Sequence, residues 1–118
     1  MSGVAYKLVD RAEWTTALAA GAYAGSAVDL ADGYIHMSTA AQLAETARRH
    51  YAGRRELVLV EVDLAPLGAA LKWEPSRGGD LFPHLFAPLP ARTDAPQRGL
   101  SVDADGVMRF EDGAIGWP

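Results

Sequence analysis

The sequence predicts a single α+β domain over residues 1–118, with two α-helices beside a mostly antiparallel β-sheet. Residues 57–63 read LVLVEVD, an apolar run rich in β-branched residues that is typical of a covered central strand. Two segments have the residue spacing of a helix capping box, and residues 102–110 read VDADGVMRF, two alternating runs around a hairpin-forming Asp-Gly pair. A chain of this length builds one hydrophobic core rather than two.

The first elements are predicted to be a strand, a helix and a loop. Residues 4–9 form a short apolar run that suits a strand. Asp10 then offers a cap for a helix, because Glu13 stands three residues later, and Gly21 is a natural helix end. Residues 22–33 have no hydrophobic period and several turn-forming residues, so we predict a loop there.

A second strand and helix are predicted around the stretch GYIHMST, which spans residues 33–39. Residues 34–37 suit a short strand directly after an Asp-Gly turn. Thr39 and Gln42 repeat the capping-box spacing, and the helix that they begin runs to about Tyr51. The order of elements is therefore turn, strand and helix.

The second half of the chain is predicted to be mainly strands. After the strand over residues 57–63, residues 65–70 suit a loop and residues 71–74, LKWE, suit a short strand. The stretch FPHLF, residues 82–86, is predicted to be extended because proline disfavours helical angles in the residue before it. The hairpin over residues 102–110 completes the sheet.

The composition excludes several classes of function. The formal net charge is -4, so the chain has no general attraction to nucleic acids, and nucleic-acid binding is disfavoured. The sequence contains no cysteine, which excludes disulfides, thiolate nucleophiles and cysteine-containing metal sites. No apolar run approaches the roughly 20 residues of a membrane span, and no signal-peptide block is visible. We therefore expect a cytoplasmic protein with no membrane partner, and its oligomeric state is left undetermined.

His36 is the first candidate for a functional residue. On a strand, alternation places Tyr34, His36 and Ser38 on one face and Ile35 and Met37 on the other. If the apolar pair faces the core, the imidazole faces a cleft or solvent. A half-exposed strand histidine without any role is an equal alternative on these residues alone.

The helix that is predicted to begin near Thr39 adds to this candidate site. Its unpaired backbone N–H groups would lie beside His36 and Ser38, and helix N-termini bind anions. We therefore predict that Ser38 and Thr39 contribute to a pocket for an anionic ligand.

A second histidine lies in the stretch FPHLF. Alternation aligns Phe82, His84 and Phe86 on one face of the extended segment. Aromatic side chains on both sides of a histidine can stack on a flat ring such as a nicotinamide or a nucleobase. Packing of the same rings in the core is the alternative.

Glu74 is the carboxylate best placed for catalysis, because it follows an indole that would partly shield it from water. A structural ion pair with Lys72 or Arg77 is an equally good explanation for a glutamate at this position. His36, His84 and Glu74 could in principle bind a divalent metal together, but no HxH or HExxH spacing supports a metal site, and we expect none.

The blocks DGYIHMST, LVLVEVD, LKWE and FPHLFAPLP together resemble the bacterial and plant family known as domain of unknown function 952. The resemblance covers nearly the whole chain, and its signatures are a Gly-aromatic-Ile-His-x-Ser block and a Phe-Pro-His-x-Tyr-Gly block. The chain departs from the second signature, with Phe86 in place of tyrosine and Ala87 in place of glycine. The signature positions in this chain are Asp32, Gly33, His36, Ser38, Thr39, Gln42, Glu74, Phe82, Pro83 and His84.

The family is similar in fold to the ADP-ribosyltransferases, and this resemblance implies a split, mostly antiparallel sheet with two helices and a site for NAD. In those enzymes a strand histidine near a Ser or Thr holds a ribose hydroxyl, and His36 with Ser38 looks like that pair. The resemblance also implies that Glu74 stabilises positive charge at the ribose. The implied catalytic residues are His36, Glu74 and His84, and the implied ligand-binding residues are Tyr34, Ser38, Thr39, Phe82 and Phe86.

Two main classes of function are open on the sequence, and a third, metal-assisted hydrolysis, would require His36, His84 and Glu74 to converge within ligation distance. The first is a domain that binds NAD, another nucleotide or another phosphorylated small molecule, with ADP-ribosyl or phosphoryl transfer as the reaction. The second is a catalytically silent module that binds a ligand or a protein through the same cleft. The sequence does not decide whether the domain is an enzyme. Both hypotheses require His36 and His84 to line one cleft.

Overall fold

The computed structural model describes residues 3–117, which form three β-sheets and the helices packed against them. In chain order the elements are β1 (Val4–Asp10), α1 (Arg11–Ala20), β2 (Ala22–Tyr23), α2 (Ala27–Asp32), β3 (Ile35–His36), α3 (Ala40–His50), β4 (Leu57–Asp63), β5 (Leu71–Pro75), β6 (Leu81–Leu85), β7 (Leu89–Pro90), β8 (Gln97–Val102) and β9 (Met108–Phe110). Short 3₁₀ helices cover Ala65–Ala70 and Arg77–Gly79. None of the helices in residues 3–117 has the length and apolar character that crossing a membrane requires.

The strands pair only in antiparallel fashion within residues 3–117. The largest sheet has the order β1-β4-β8-β9, the second has the order β3-β6-β5, and β2 pairs with β7. The prediction of an α+β fold with mostly antiparallel strands is therefore confirmed. The closer assignment to an ADP-ribosyltransferase-like fold stays a prediction.

Several element predictions are confirmed to the residue. The central strand β4 covers Leu57–Asp63, lies between β1 and β8, and is buried over most of its length. Asp10 caps α1 by accepting a hydrogen bond from the backbone of Glu13. Thr39 and Gln42 form the reciprocal capping box of α3. These elements could be predicted from the sequence because each depends on residues close together in the chain.

The prediction of two helices with a loop over residues 22–33 was wrong, because β2 and α2 lie inside that segment. Ser26 and Asp29 form a capping box that begins α2, and Gly33, at φ 89°, ends it in the left-handed conformation that favours glycine. The helix has only one and a half turns and leaves Val28 and Leu30 exposed, so it has no hydrophobic period to detect. The predicted loop at residues 65–70 is likewise a 3₁₀ helix.

The sheet of β3, β6 and β5 has one apolar face and one polar face. Ile35 and Leu85 are buried in the hydrophobic core on one side. Tyr34, His36 and His84 stand on the other side, as strand alternation requires. The core therefore fixes the strands that carry both histidines.

Candidate functional site

The two histidines are direct neighbours across a strand pair. The register of β3 and β6 places His36 opposite His84, and their ring centroids are 5.7 Å apart. Directly opposed side chains of antiparallel strands share one face of the sheet. The structure thus brings together two imidazoles that are far apart in the sequence.

Both rings line a cavity of about 600 Å³. Its walls come from β1, α2, α3 and β6, and the volume lies in the range of about 300–1,000 Å³ that is common for small-molecule sites. The polar side chains on its walls include Lys7, Asp29, His36, Ser38, Thr46 and His84.

Asp29 is the centre of a buried polar network at this cavity. The carboxylate is 2% exposed and lies 3.1 Å from the ammonium of Lys7, which is 4% exposed. It also lies 2.6 Å from Nδ1 of His36 and accepts hydrogen bonds from the backbone N–H groups of Ser26 and His36. Buried charges are tolerated when they are paired and hydrogen-bonded in this way. The network joins β1, α2 and β3 at one point.

The charges in this network depend on one another. Burial alone would raise the pKa of Asp29, but the hydrogen bond from His36 and the charge of Lys7 hold that pKa well below its usual range. Burial lowers the pKa of the Lys7 amine, and the carboxylate of Asp29 opposes this effect. Asp29 is therefore ionised in the folded protein, and its carboxylate stabilises the charged form of Lys7.

Stability should fall in acid because of Asp29. A carboxyl group whose pKa is lower in the folded than in the unfolded state adds stability above the unfolded pKa of about 3.9, and loses it as pH falls toward the folded value. We expect the difference in free energy of unfolding between wild type and Asp29→Asn to be largest above about pH 4 and to narrow below it. Urea denaturation at several pH values measures this difference. A difference that stays constant with pH would contradict the ionised state of Asp29.

His36 has a carboxylate at each ring nitrogen. Nδ1 faces Asp29, and Nε2 lies 2.9 Å from the carboxylate of Asp32, which is 48% exposed. The ring can donate to both carboxylates only when it carries both protons. The inner contact is buried and fixed, whereas the outer one lies at the surface, where a ligand can replace it.

His84 has a different arrangement. The residue is 3% exposed, and its Nδ1 lies 2.8 Å from the carboxylate of Glu74 on β5. Nε2 of His84 has no hydrogen-bond partner among residues 3–117. It is also not fully buried, because Arg11 Nε is the one fully buried side-chain nitrogen or oxygen in that range that lacks a hydrogen bond. The ring of Tyr34 stacks on the imidazole at 4.1 Å between centroids. The free nitrogen of His84 is thus open to the cavity.

Arginine side chains give the cavity a positive wall. Arg54 and Arg77 both line it, and neither has a carboxylate within ion-pair distance in the described part of the chain. Their guanidinium groups lie over the rings of Tyr51 and Phe82. Burial together with the neighbouring Arg77 lowers the pKa of His50, a further residue of this wall. Two unpaired guanidiniums at one cavity are suited to an anionic ligand.

Five of the predicted site residues line the cavity: Tyr34, His36, Ser38, Phe82 and His84. Glu74 does not, because it lies behind His84 as the hydrogen-bond partner of Nδ1. Thr39 and Phe86 are also outside the lining of this cavity. The side chain of Thr39 caps the backbone of α3, and Phe86 lies with Tyr34 at a second, smaller cavity of about 250 Å³.

The cavity residues that were not among the predicted site residues include Lys7, Asp29, Arg54 and Arg77. Lys7 lies within an apolar strand, where its side chain suggested no role. Asp29 belongs to the short helix that has no hydrophobic period. A Ser-x-x-Asp spacing at residues 26–29 was the available signal for this helix. The two arginines reach the cavity through tertiary folding alone, and no local pattern could have identified them.

Within residues 3–117 no group of three or more His, Asp or Glu side chains has the arrangement that would hold a metal ion. His36, His84 and Glu74 do not converge, because Glu74 contacts only the far nitrogen of His84. The carboxylates at His36 are Asp29 and Asp32 instead.

The fold and the site define a small α+β domain with a cavity lined by histidine, lysine and arginine side chains. The chain belongs to the family described as "Protein of unknown function (DUF952)", whose model matches residues 8–93. Comparison with curated proteins gives no match.

Two solved structures of protein CC0527 from Caulobacter crescentus are similar to this chain. Its X-ray crystal structure has 50% sequence identity and a TM-score of 0.82, and the match covers 89% of this chain and 92% of that one. Its solution NMR structure has 49% identity and a TM-score of 0.75, with 89% and 90% of the two chains covered.

Proposed function

We propose that this domain binds a nucleotide or another phosphorylated small molecule in the cavity between β1, α2, α3 and β6. The observation that carries the proposal is the pair Arg54 and Arg77, whose guanidiniums face one cavity without carboxylate partners. A charged group that lacks a carboxylate partner gains most from a ligand of opposite charge. Phosphate oxygens match the planar donor geometry of guanidinium groups.

The aromatic side chains of the cavity support a ligand that also contains a flat ring. Tyr34 and Phe82 both line the walls, and Phe82 already has a guanidinium on one face. Base rings stack favourably on such side chains and on arginine planes. Nucleotides combine a ring of this kind with phosphate, so they fit the site better than inorganic anions.

NAD, the cofactor that the family resemblance implies, has chemical groups that these residues can hold. Arg54 and Arg77 would contact its phosphates, and Tyr34 would contact one of its rings. When bound, NAD supplies a ribosyl group on a nicotinamide leaving group. Ribosyl transfer needs a carboxylate beside the ribose. Glu74 is bound to His84 instead, and this contact favours phosphoryl over ADP-ribosyl transfer as the reaction.

We also propose that this activity takes place in the cytoplasm. Phosphorylated metabolites carry charge and do not enter the apolar interior of a membrane readily.

Calorimetric titration tests the proposed ligand class. AMP, NAD and inorganic phosphate should each release binding heat in low salt, whereas adenosine should bind more weakly than AMP because it lacks the phosphate. The heats should decrease as salt is added, since screening weakens contacts between charges. If AMP, NAD and phosphate all fail to bind, the proposed function is wrong.

Replacing Arg54 or Arg77 with glutamine should weaken AMP binding about tenfold in each case, because a hydrogen bond to a charged group contributes about 1.5–3 kcal/mol. Arg55→Gln is the matched control. Arg55 is the exposed neighbour of Arg54 and is not part of the cavity wall, so its variant should bind AMP as wild type does. Equal weakening by all three variants would indicate a general charge effect instead of a site.

A further inference from the structure

We propose that the cavity catalyses phosphoryl transfer through His84, which accepts the phosphoryl group at Nε2 as a phosphohistidine. This inference rests on the proposed binding of a phosphorylated ligand and names the reaction at the same site. His84 is the cavity residue whose free nitrogen is held in a fixed direction, because its other nitrogen is bound to Glu74.

The contacts of His84 define a nucleophile. The 2.8 Å contact between Nδ1 and Glu74 places the proton on Nδ1, so the lone pair lies on Nε2. Nε2 is open to the cavity, although the residue is 97% shielded from solvent. Packing against the Tyr34 ring, 4.1 Å away, restricts rotation of the imidazole. A base or nucleophile that is oriented by a carboxylate is the common arrangement of covalent catalysis.

The surrounding charges suit the transferred group. When Nε2 attacks phosphorus, the imidazole becomes a cation, and the carboxylate of Glu74 lies directly at its other nitrogen to stabilise that charge. The guanidinium of Arg77 lies over Phe82, two residues from His84 on the same strand face, where it can contact the phosphoryl oxygens. Glu74 acts through His84 and is therefore a positioning residue.

His36 supplies the proton that the leaving group needs. With a phosphomonoester, the bond between Nε2 of His84 and phosphorus forms, the bond from phosphorus to the ester oxygen breaks, and that oxygen takes a proton from Nε2 of His36. In the second step water attacks phosphorus, the N–P bond breaks, and His36 takes one proton from the water. The sum is an ester plus water giving an alcohol plus phosphate. Asp29 lies at Nδ1 of His36 and Asp32 at Nε2, so each ring nitrogen can donate a hydrogen bond to a carboxylate when it carries a proton.

Phosphoramidate, a small phosphoryl donor with ammonia as leaving group, tests the covalent step. The folded protein is incubated with phosphoramidate, and the phosphorylated residue is located by tandem mass spectrometry of its peptides. His50 is the internal control, because it is more exposed than His84 and has no carboxylate partner in residues 3–117. We expect His84 to be labelled faster than His50 in the folded protein, and the two at similar rates in urea.

Variants separate the covalent step from binding. Glu74→Gln should leave the affinity for inorganic phosphate unchanged and slow the labelling of His84 about tenfold or more, because the orienting carboxylate is lost. The ¹⁵N chemical shifts of the His84 ring should show the Nδ1–H tautomer in wild type and a mixture in this variant. Asp94→Asn, which changes an exposed carboxylate outside the cavity wall, should be labelled at His84 as wild type is.

The outcomes are distinct for the two proposals. If inorganic phosphate binds but His84 is labelled no faster than His50, phosphoryl transfer through His84 is wrong and the ligand class stands. Preferential labelling of His36 would also overturn it. If phosphate, AMP and NAD do not bind and no histidine is labelled preferentially, both proposals fail.

Discussion

Asp29→Ala should lower the free energy of unfolding by about 3–5 kcal/mol, because it leaves the ammonium of Lys7 buried without its partner. The side chains of Lys7 and Asp29 are both almost fully buried, and their contact of 3.1 Å joins β1 to α2. The same change removes the acceptor for Nδ1 of His36. Urea denaturation monitored by circular dichroism measures the loss. A value below about 1 kcal/mol would show that Lys7 finds another partner or reaches water.

Asp32→Ala is the matched control for this prediction. Asp32 contacts the opposite nitrogen of the same histidine at 2.9 Å, but it is half exposed. Ion pairs at the surface contribute about 0–1 kcal/mol, so this variant should unfold within about 1 kcal/mol of wild type. Two carboxylates on one imidazole thus differ in their effect on stability, because Asp29 is buried and pairs with Lys7 whereas Asp32 is half exposed.

Lys7→Met provides a second check on the origin of the effect. Methionine of similar length places no charge in the interior, whereas Asp29→Ala leaves the ammonium of Lys7 there without its partner. Asp29 would keep its hydrogen bonds to His36 and to the backbone of Ser26. The loss should therefore be smaller for Lys7→Met than for Asp29→Ala. The reverse order would mean that Lys7, rather than Asp29, organises the network.

The stability of this network and the proposed chemistry have a common origin. Asp29 holds the inner nitrogen of His36, and Glu74 holds the inner nitrogen of His84. Each imidazole therefore presents its other nitrogen outward in a fixed direction. The two rings differ in that His36 meets a further carboxylate at Asp32, while His84 meets none. This difference favours a proton donor at one ring and a nucleophile at the other.

The part of the site that could be predicted from the sequence depends on strand alternation. Tyr34, His36 and Ser38 share a face because successive strand residues point to opposite sides, and Phe82 and His84 share a face for the same reason. The helix caps at Asp10 and Thr39 were equally local. Each of these features needs only residues within a few positions of one another.

The remaining features depend on contacts between distant segments. The pairing of Lys7 with Asp29 joins residues 22 positions apart, and it requires α2, a helix too short to show a hydrophobic period. Glu74 was predicted to act at the ligand, but the register of β5 and β6 places it within reach of His84 instead. Arg54 follows helix α3, and Arg77 precedes strand β6. The sequence around each of them resembles that around ordinary surface cations. Only the assembled fold directs them to one cavity.

Ile35→Ala should lower the free energy of unfolding by about 2–5 kcal/mol and weaken ligand binding together with stability. Ile35 is buried in the core beneath β3 and lies opposite Leu85 of β6, on the side of the sheet away from the histidines. Because β3 has only two residues, this packing is a large part of what holds His36 opposite His84.

Leu30→Ala is the control for Ile35→Ala, since Leu30 is 64% exposed on the nearby helix α2 and its loss should change stability by less than about 0.5 kcal/mol. Urea denaturation gives the two free energies, and titration with AMP under conditions where both variants are folded gives the affinities. A folded Ile35→Ala variant that binds AMP as tightly as wild type would show that the position of β3 is set by the polar network around Asp29 and does not require core packing. Weaker AMP binding by the Ile35→Ala variant, which retains Asp29 and Lys7, would show that the two histidines form a site only when the apolar core beneath them is fully packed.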